Sequence, residues 1–150
     1  MPIQKETACK AKAYSNIAYI IDPQKTMDAD GNMWICTINM KCSGTASASA
    51  LAAEFAEVNQ QFGKNMAYGE RKYYHLILNF KNSASVSPQM ALDVAKAYLK
   101  RFWPDHQAVL VVHLKGHKDM SDEEINMSDE DYDEAYKGGV HIHACINSIN

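Results

Sequence analysis

The clearest pattern in the chain is a strict alternation near its end. Over Val140–Asn147, VHIHACIN, residues Val140, Ile142, Ala144 and Ile146 point one way, and His141, His143, Cys145 and Asn147 the other. A period of two is that of a strand, so this stretch predicts a half-buried strand with an apolar back and a polar front. Asn32–Met40 reads as another strand, Trp34, Cys36 and Ile38 alternating with Ile35 and Thr37. Tyr73–Phe80 puts Tyr74, Leu76, Leu78 and Phe80 on one face and Tyr73, His75, Ile77 and Asn79 on the other. Gln107–Leu114, QAVLVVHL, is nearly all apolar, which marks a strand covered on both faces.

Helical spacing fills the intervals. In Ser47–Phe62, Leu51, Phe55, Val58 and Phe62 recur three and four apart, and Thr45 or Ser47 can cap the helix. Ser87 and Pro88 open a second helix that runs to about Phe102. Its expected buried face is Met90, Ala91, Val94, Tyr98 and Leu99, and Trp103–Pro104–Asp105 ends it. Residues 14–22, YSNIAYIID, suit a short helix with apolar Tyr14, Ile17, Ala18 and Ile21, ended by Pro23. Residues 22–32 and 63–71 read as loops, and the polar residues 1–13 show no element. Strands 107–114 and 140–147 are joined only by a loop, so they are expected to pair antiparallel. The architecture predicted is a single-domain α/β (α+β) sandwich over residues 1–150. It has a largely antiparallel sheet of four or five strands with helices packed on it.

Composition narrows the classes. A chain of 150 residues, 47% hydrophobic, can bury a core and is not disordered. No apolar run reaches the roughly 18 residues a bilayer requires, so no membrane insertion is expected. The opening MPIQKETACKAKAY lacks the apolar core of a secretory signal. Cys9, Cys36, Cys42 and Cys145 form no CxxC pair or regular framework, which implies reduced thiols and a cytoplasmic location. The net charge of −3 hides an asymmetry: residues 119–134 hold nine acids and no Lys or Arg, so without them the chain carries +6. A mildly basic remainder permits a phosphate-bearing partner. Residues 115–139 are read as an acidic insertion, mostly loop, with some helix around 129–136.

The candidate chemistry lies in the histidines. His141 and His143 sit side by side on one strand face and can hold one cation from the same side. His113 closes the preceding strand on the face of Val109 and Val111, and antiparallel pairing brings it beside them. Three imidazoles binding one divalent cation, with its other positions open, can polarise a phosphoryl oxygen. A lone Lys25 can contact a phosphate or stand solvated. Arg71, Tyr68 and Tyr73 can stack on unpaired bases or pack. His75 can reach the metal face or the DNA, or be a hydrogen-bonded core residue, and Asn147 can orient a phosphate or simply end a strand.

FWPDHQAVLVVH followed by VHIHACINSIN resembles the C-terminal motif of plasmid mobilisation relaxases of the MobA type, within the HUH endonuclease superfamily. In that family a histidine closes a strand, and an HxH strand follows with Asn four residues after the second His, as Asn147 follows His143. SNIAYIIDPQKT resembles the first motif, a Tyr before a Pro-x-Lys-Thr turn, and that Tyr is Tyr19. YYHLILNF and SVSPQMALDVAKAYLKRF are similar to the middle strand and following helix, so the likeness runs over about residues 12–150.

The resemblance implies an HUH endonuclease-like fold and a DNA-nicking transesterase. Tyr19 is its nucleophile, forming a 5′-phosphotyrosyl link, and a divalent ion on His113, His141 and His143 is its cofactor, Mn2+ or Mg2+ first and Zn2+ as the alternative. It implies single-stranded DNA at a transfer origin as substrate, with relaxosome accessory proteins and a coupling protein as further partners. Tyr14 competes as nucleophile but lacks the adjoining turn. Two alternatives stand beside this. One is a rolling-circle initiator or transposase of the same superfamily, although a Tyr ahead of HxH favours relaxases. The other is a non-catalytic single-stranded DNA-binding relaxosome module. The sequence departs from the family in two ways. Many relatives carry an Asp two residues after the first His, where this chain has Lys115 and then the acidic insertion, with His117 as a stray candidate ligand. Relatives also continue past the stretch ending here at Asn150, which reads as a trimmed or truncated nuclease domain or as a compact member of the family.

Overall fold

A computed structural model describes residues 13–63, 71–80, 86–114 and 140–149, together with the backbone path of 2–9. The acidic insertion, its expected helix, His117 and Tyr68 lie outside the described residues. Five strands, β1 (Pro2–Cys9), β2 (Ile35–Ile38), β3 (Tyr73–Phe80), β4 (Ala108–His113) and β5 (His141–Asn147), form one sheet. Its order is β1-β3-β5-β4-β2, and every neighbouring pair is antiparallel. The helices are α1 (Ala13–Ile20), α2 (Pro23–Thr26), α3 (Ala48–Phe62) and α4 (Pro88–Phe102).

Local chemistry accounts for the helix limits. The Ser47 side chain accepts from Ala50 N at 3.2 Å to start α3, and Gly63 closes it in the left-handed region at φ 63°. Ser87 does the same for Met90 N at 3.1 Å, with Pro88 in the first turn of α4. The segment read as a loop after Ile21 contains α2, whose start is capped by the Asp22 carboxylate accepting from Gln24 N. Pro23 does interrupt the first helix as expected, and it also begins the next.

β5 lies at the centre of the sheet, and all seven of its residues are buried. Ile142, Ala144 and Ile146 pack with Leu76, Leu78, Leu110 and Val112 against Ala91, Leu92, Ala95 and Leu99 of α4. On the other face, Val109, Val111, Cys145 and Tyr73 pack against Ile17 and Ile20 of α1 and Leu51 and Phe55 of α3. The molecule is thus helix, sheet, helix in section. The half-buried strand expected at 140–147 is corrected by this second helical layer, which covers the histidine face as well.

Two further expectations change. Residues 2–9 form an edge strand paired along its length with β3, from Pro2–Phe80 to Cys9–Tyr73. PIQKETAC is largely polar, and an edge strand joins through backbone hydrogen bonds that need no apolar pattern. On α4, Met90 and Val94 are 55% and 41% exposed, and the buried stripe is Ala91, Leu92, Ala95 and Leu99. The apolar face is rotated by about one residue, or 100°; 90–91–94–98 and 91–92–95–99 share one helical spacing, so the period does not choose between them and packing against the sheet does. Among the described residues Cys36, Cys42 and Cys145 form no disulfide, and no helix is long and apolar enough to cross a membrane.

Candidate active site

Strand register builds the histidine cluster. His113 of β4 stands opposite His141 of β5, and His143 opposite Val111. A period of two then leaves His113, His141 and His143 on the face covered by α1. Ring centroids lie 5.2 Å apart for His113–His141, 4.2 Å for His113–His143 and 5.0 Å for His141–His143. One nitrogen from each ring falls within 4.8 Å of the others, and all three residues are buried.

The ring hydrogen bond of His113 suits metal ligation. His113 Nε2 lies 2.9 Å from the Ile20 carbonyl. A carbonyl only accepts, so Nε2 carries the proton, and in the neutral ring the lone pair is on Nδ1. His143 Nδ1 lies 2.8 Å from His75 Nε2. His141 Nε2 is a buried ring nitrogen that takes no hydrogen bond, while its ring packs edge-on against the other two. Three imidazole donors converging this closely fit a divalent transition metal or Zn2+, and the site can hold such an ion.

The helix α1 presents Tyr19 to the cluster. Its ring centre is 6.5 Å from those of both His113 and His143, edge-on to each. The Lys25 ammonium lies over the phenol, 3.1 Å from the ring centre. Lys25 is placed by the short α2, whose backbone is tied to the end of β4 by Leu114 N donating to Lys25 O at 2.9 Å. The buried Thr26 hydroxyl accepts from Trp34 N at 3.2 Å and fixes the same turn from the other side. Tyr14 lies five residues earlier on α1, about 140° around the helix from Tyr19, and is 49% exposed.

The remaining candidates scatter. His75 meets the cluster through His143. Tyr73 shares that face of the sheet but is buried in the core formed with α1 and α3. Arg71 donates to the Tyr74 hydroxyl at 2.6 Å and lies over that ring, on the α4 side of the sheet. Asn147 stands at the far end of β5, about 20 Å from His141 at ordinary strand rise. Its amide donates to Phe55 O at 3.3 Å and Gln107 Oε1 at 3.0 Å. Two groups went unread in the sequence, Asn16 and the Ile20 carbonyl. Asn16 lies three residues before Tyr19, on the same face of α1, so a helical projection centred on Tyr19 would have found it, whereas a backbone carbonyl carries no mark in the sequence.

An antiparallel sheet with helices packed on it is consistent with the fold of HUH-type relaxase nuclease domains. The chain matches the relaxase family, described as a MobA/VirD2-like nuclease domain, over residues 19–150, and it belongs to that family. Membership makes DNA nicking its class of activity and single-stranded DNA its class of ligand. No curated protein and no solved structure matches the chain.

Proposed function

We propose that this chain nicks and rejoins one DNA strand at the transfer origin of a plasmid or mobile element, with Tyr19 as nucleophile. One observation carries the reading: the Tyr19 ring stands 6.5 Å from two of three clustered imidazoles. The phenolic oxygen forms a bond to phosphorus while the bond from phosphorus to the 3′-oxygen breaks. The phenolic proton passes to solvent, and the departing 3′-oxygen takes one up. The protein is left joined to the 5′-phosphate. One phosphodiester replaces another, so the free 3′-hydroxyl can reverse the step.

A phenol with a pKa near 10 is a weak nucleophile at neutral pH and needs help. His113, His141 and His143 would hold Mn2+ or Mg2+, with Zn2+ as the alternative; the ion, when bound, draws charge from the non-bridging oxygens. The Lys25 ammonium over the ring stabilises negative charge gathering on Tyr19 and lies where it can also meet a phosphate. The helix α1 holds the tyrosine against the cluster, so attack is intramolecular once DNA is seated.

The test is incubation with Mn2+ and an end-labelled single-stranded oligonucleotide from the origin of the protein's own replicon. A denaturant-resistant adduct that Tyr19→Phe abolishes is the expected result. An adduct that persists in Tyr19→Phe moves the nucleophile elsewhere, with Tyr14 first to be checked. DNA binding without an adduct in either protein would make the chain a binding module.

A further inference from the structure

We propose that His75, held in turn by Asn16, is the positioning residue that orients His143 toward the metal ion; this rests on the reading of the three histidines as ligands. A ligating imidazole ordinarily donates its second N–H to a carboxylate or carbonyl, which fixes the ring and its tautomer. The backbone carbonyl of Ile20 fills that role for His113. The Nδ1 of His143 instead meets another imidazole, His75 Nε2 at 2.8 Å. The two are diagonal neighbours across the β3–β5 pair, where His75 stands opposite Cys145 and Ile77 opposite His143. Beyond His75, Asn16 of α1 closes the chain, Nδ2 to His75 Nδ1 at 2.8 Å.

Proton counting makes this relay selective. His143 offers Nε2 to a cation only when its proton sits on Nδ1 and is donated to His75 Nε2. A neutral His75 then carries its own proton on Nδ1, which requires an acceptor on Asn16. The Asn16 oxygen is buried without a hydrogen bond while Nδ2 faces the ring. Turning the amide over presents that oxygen and completes a chain of donors running from His143 outward. With Nδ2 facing the ring, a neutral His75 donates from Nε2 instead and occupies the Nδ1 lone pair of His143. His143 then keeps its proton on Nε2 and cannot ligate. The Asn16 amide orientation and the metal-competent form of His143 are thus one equilibrium. Asn16 and Tyr19 share α1, so the same bond seats the tyrosine helix over the cluster.

The experiment measures Mn2+ affinity by calorimetry, beside the unfolding temperature of each metal-free protein. His75→Ala is expected to weaken Mn2+ binding about 10- to 100-fold. His75→Gln, whose Oε1 can accept the His143 proton, should recover most of the loss. Asn16→Leu should weaken binding and Asn16→Asp, an acceptor only, should keep it. In the Zn2+-loaded protein, 15N ring shifts should show the His143 proton on Nδ1. His141→Ala separates the two readings. If it abolishes Mn2+ binding while folded His75→Ala and Asn16→Leu bind like the parent, the positioning proposal is wrong and the ligand reading survives. If His141→Ala also binds normally, the ligand reading falls and the proposal with it. Should His75→Ala not fold, the contrast between Asn16→Leu and Asn16→Asp decides the matter alone.

Discussion

The ammonium of Lys25 lies 3.1 Å from the centre of the Tyr19 ring, and that ring centre stands 6.5 Å from those of the His113 and His143 imidazoles. The contact joins two stretches of the DPQKT-containing motif that the sequence could only place near each other. It also gives Lys25 a task other than touching phosphate. A cation over an aromatic face is worth about 0.5–2 kcal/mol, so Lys25→Met should slow adduct formation about 2- to 30-fold at saturating oligonucleotide. Lys25→Arg should retain most of the rate, since a guanidinium also stacks on a ring. If Lys25→Met weakens DNA binding and leaves the saturated rate alone, the residue serves only as a phosphate contact.

The rotated face of α4 makes a second prediction, one of stability. Leu99 is 1% exposed and packs against the sheet, so Leu99→Ala should cost about 2–5 kcal/mol in a denaturant melt. Met90→Lys and Val94→Lys should each stay within about 0.5 kcal/mol of the parent, because both side chains already face solvent. A large loss in either lysine variant would show that the outer stripe is covered in solution.

These residues mark how far the sequence could be read. Alternation put His113, His141 and His143 on one face before any coordinates, because a two-residue period leaves a paired strand no other choice. The cap Ser87 was legible for a similar reason, and Ser47 as one of two candidates beside Thr45, since each supplies a side-chain oxygen where backbone N–H groups have no helical acceptor. The burial of the histidine face was not legible, because it depends on α1 and α3 folding over the front of β5, a tertiary fact no local pattern carries. The relay through His75 and Asn16 was hidden likewise: it joins residues 59 and 68 positions apart.

The sequence leaves Asn147 open as a phosphate contact or a strand end, and its surroundings point to a clamp. Its side chain ties the end of β5 to the Phe55 carbonyl of α3 and to Gln107 at the start of β4, and its own carbonyl meets His106 Nδ1 at 2.6 Å. Asn147→Ala leaves those buried groups short of a partner and should cost about 1–3 kcal/mol. Mn2+ affinity measured on the same variant should be unchanged, given the distance along β5 to His141. Unaltered stability with weakened DNA binding would return Asn147 to the role of a ligand contact.

Gln107 leads to Glu54, and from there to the response to acid. The Glu54 carboxylate accepts from Lys41 N at 2.7 Å, Cys42 N at 2.8 Å and Gln107 Nε2 at 3.3 Å, joining α3 to the loop after β2 and to β4. Desolvation pushes its pKa upward, but the backbone N–H groups of Cys42 and Lys41, the Cys42 side chain and the Lys41 charge together outweigh this and hold it below the ordinary 4.5. The stabilisation belongs to the ionised form. It is fully present above the unfolded value near 4.5 and is lost as pH falls through the lower folded value. Glu54→Gln should therefore be less stable than the parent at pH 7, by on the order of 1 kcal/mol given the solvent around the carboxylate. The gap should close as pH drops below about 4.5. Asp28, lowered by the Asn32 backbone N–H and others, titrates in the same sense, so the comparison must be between these two proteins at each pH, where Asp28 cancels. A gap that persists unchanged down to pH 3 would mean that the shape of the side chain matters at position 54 and its charge does not.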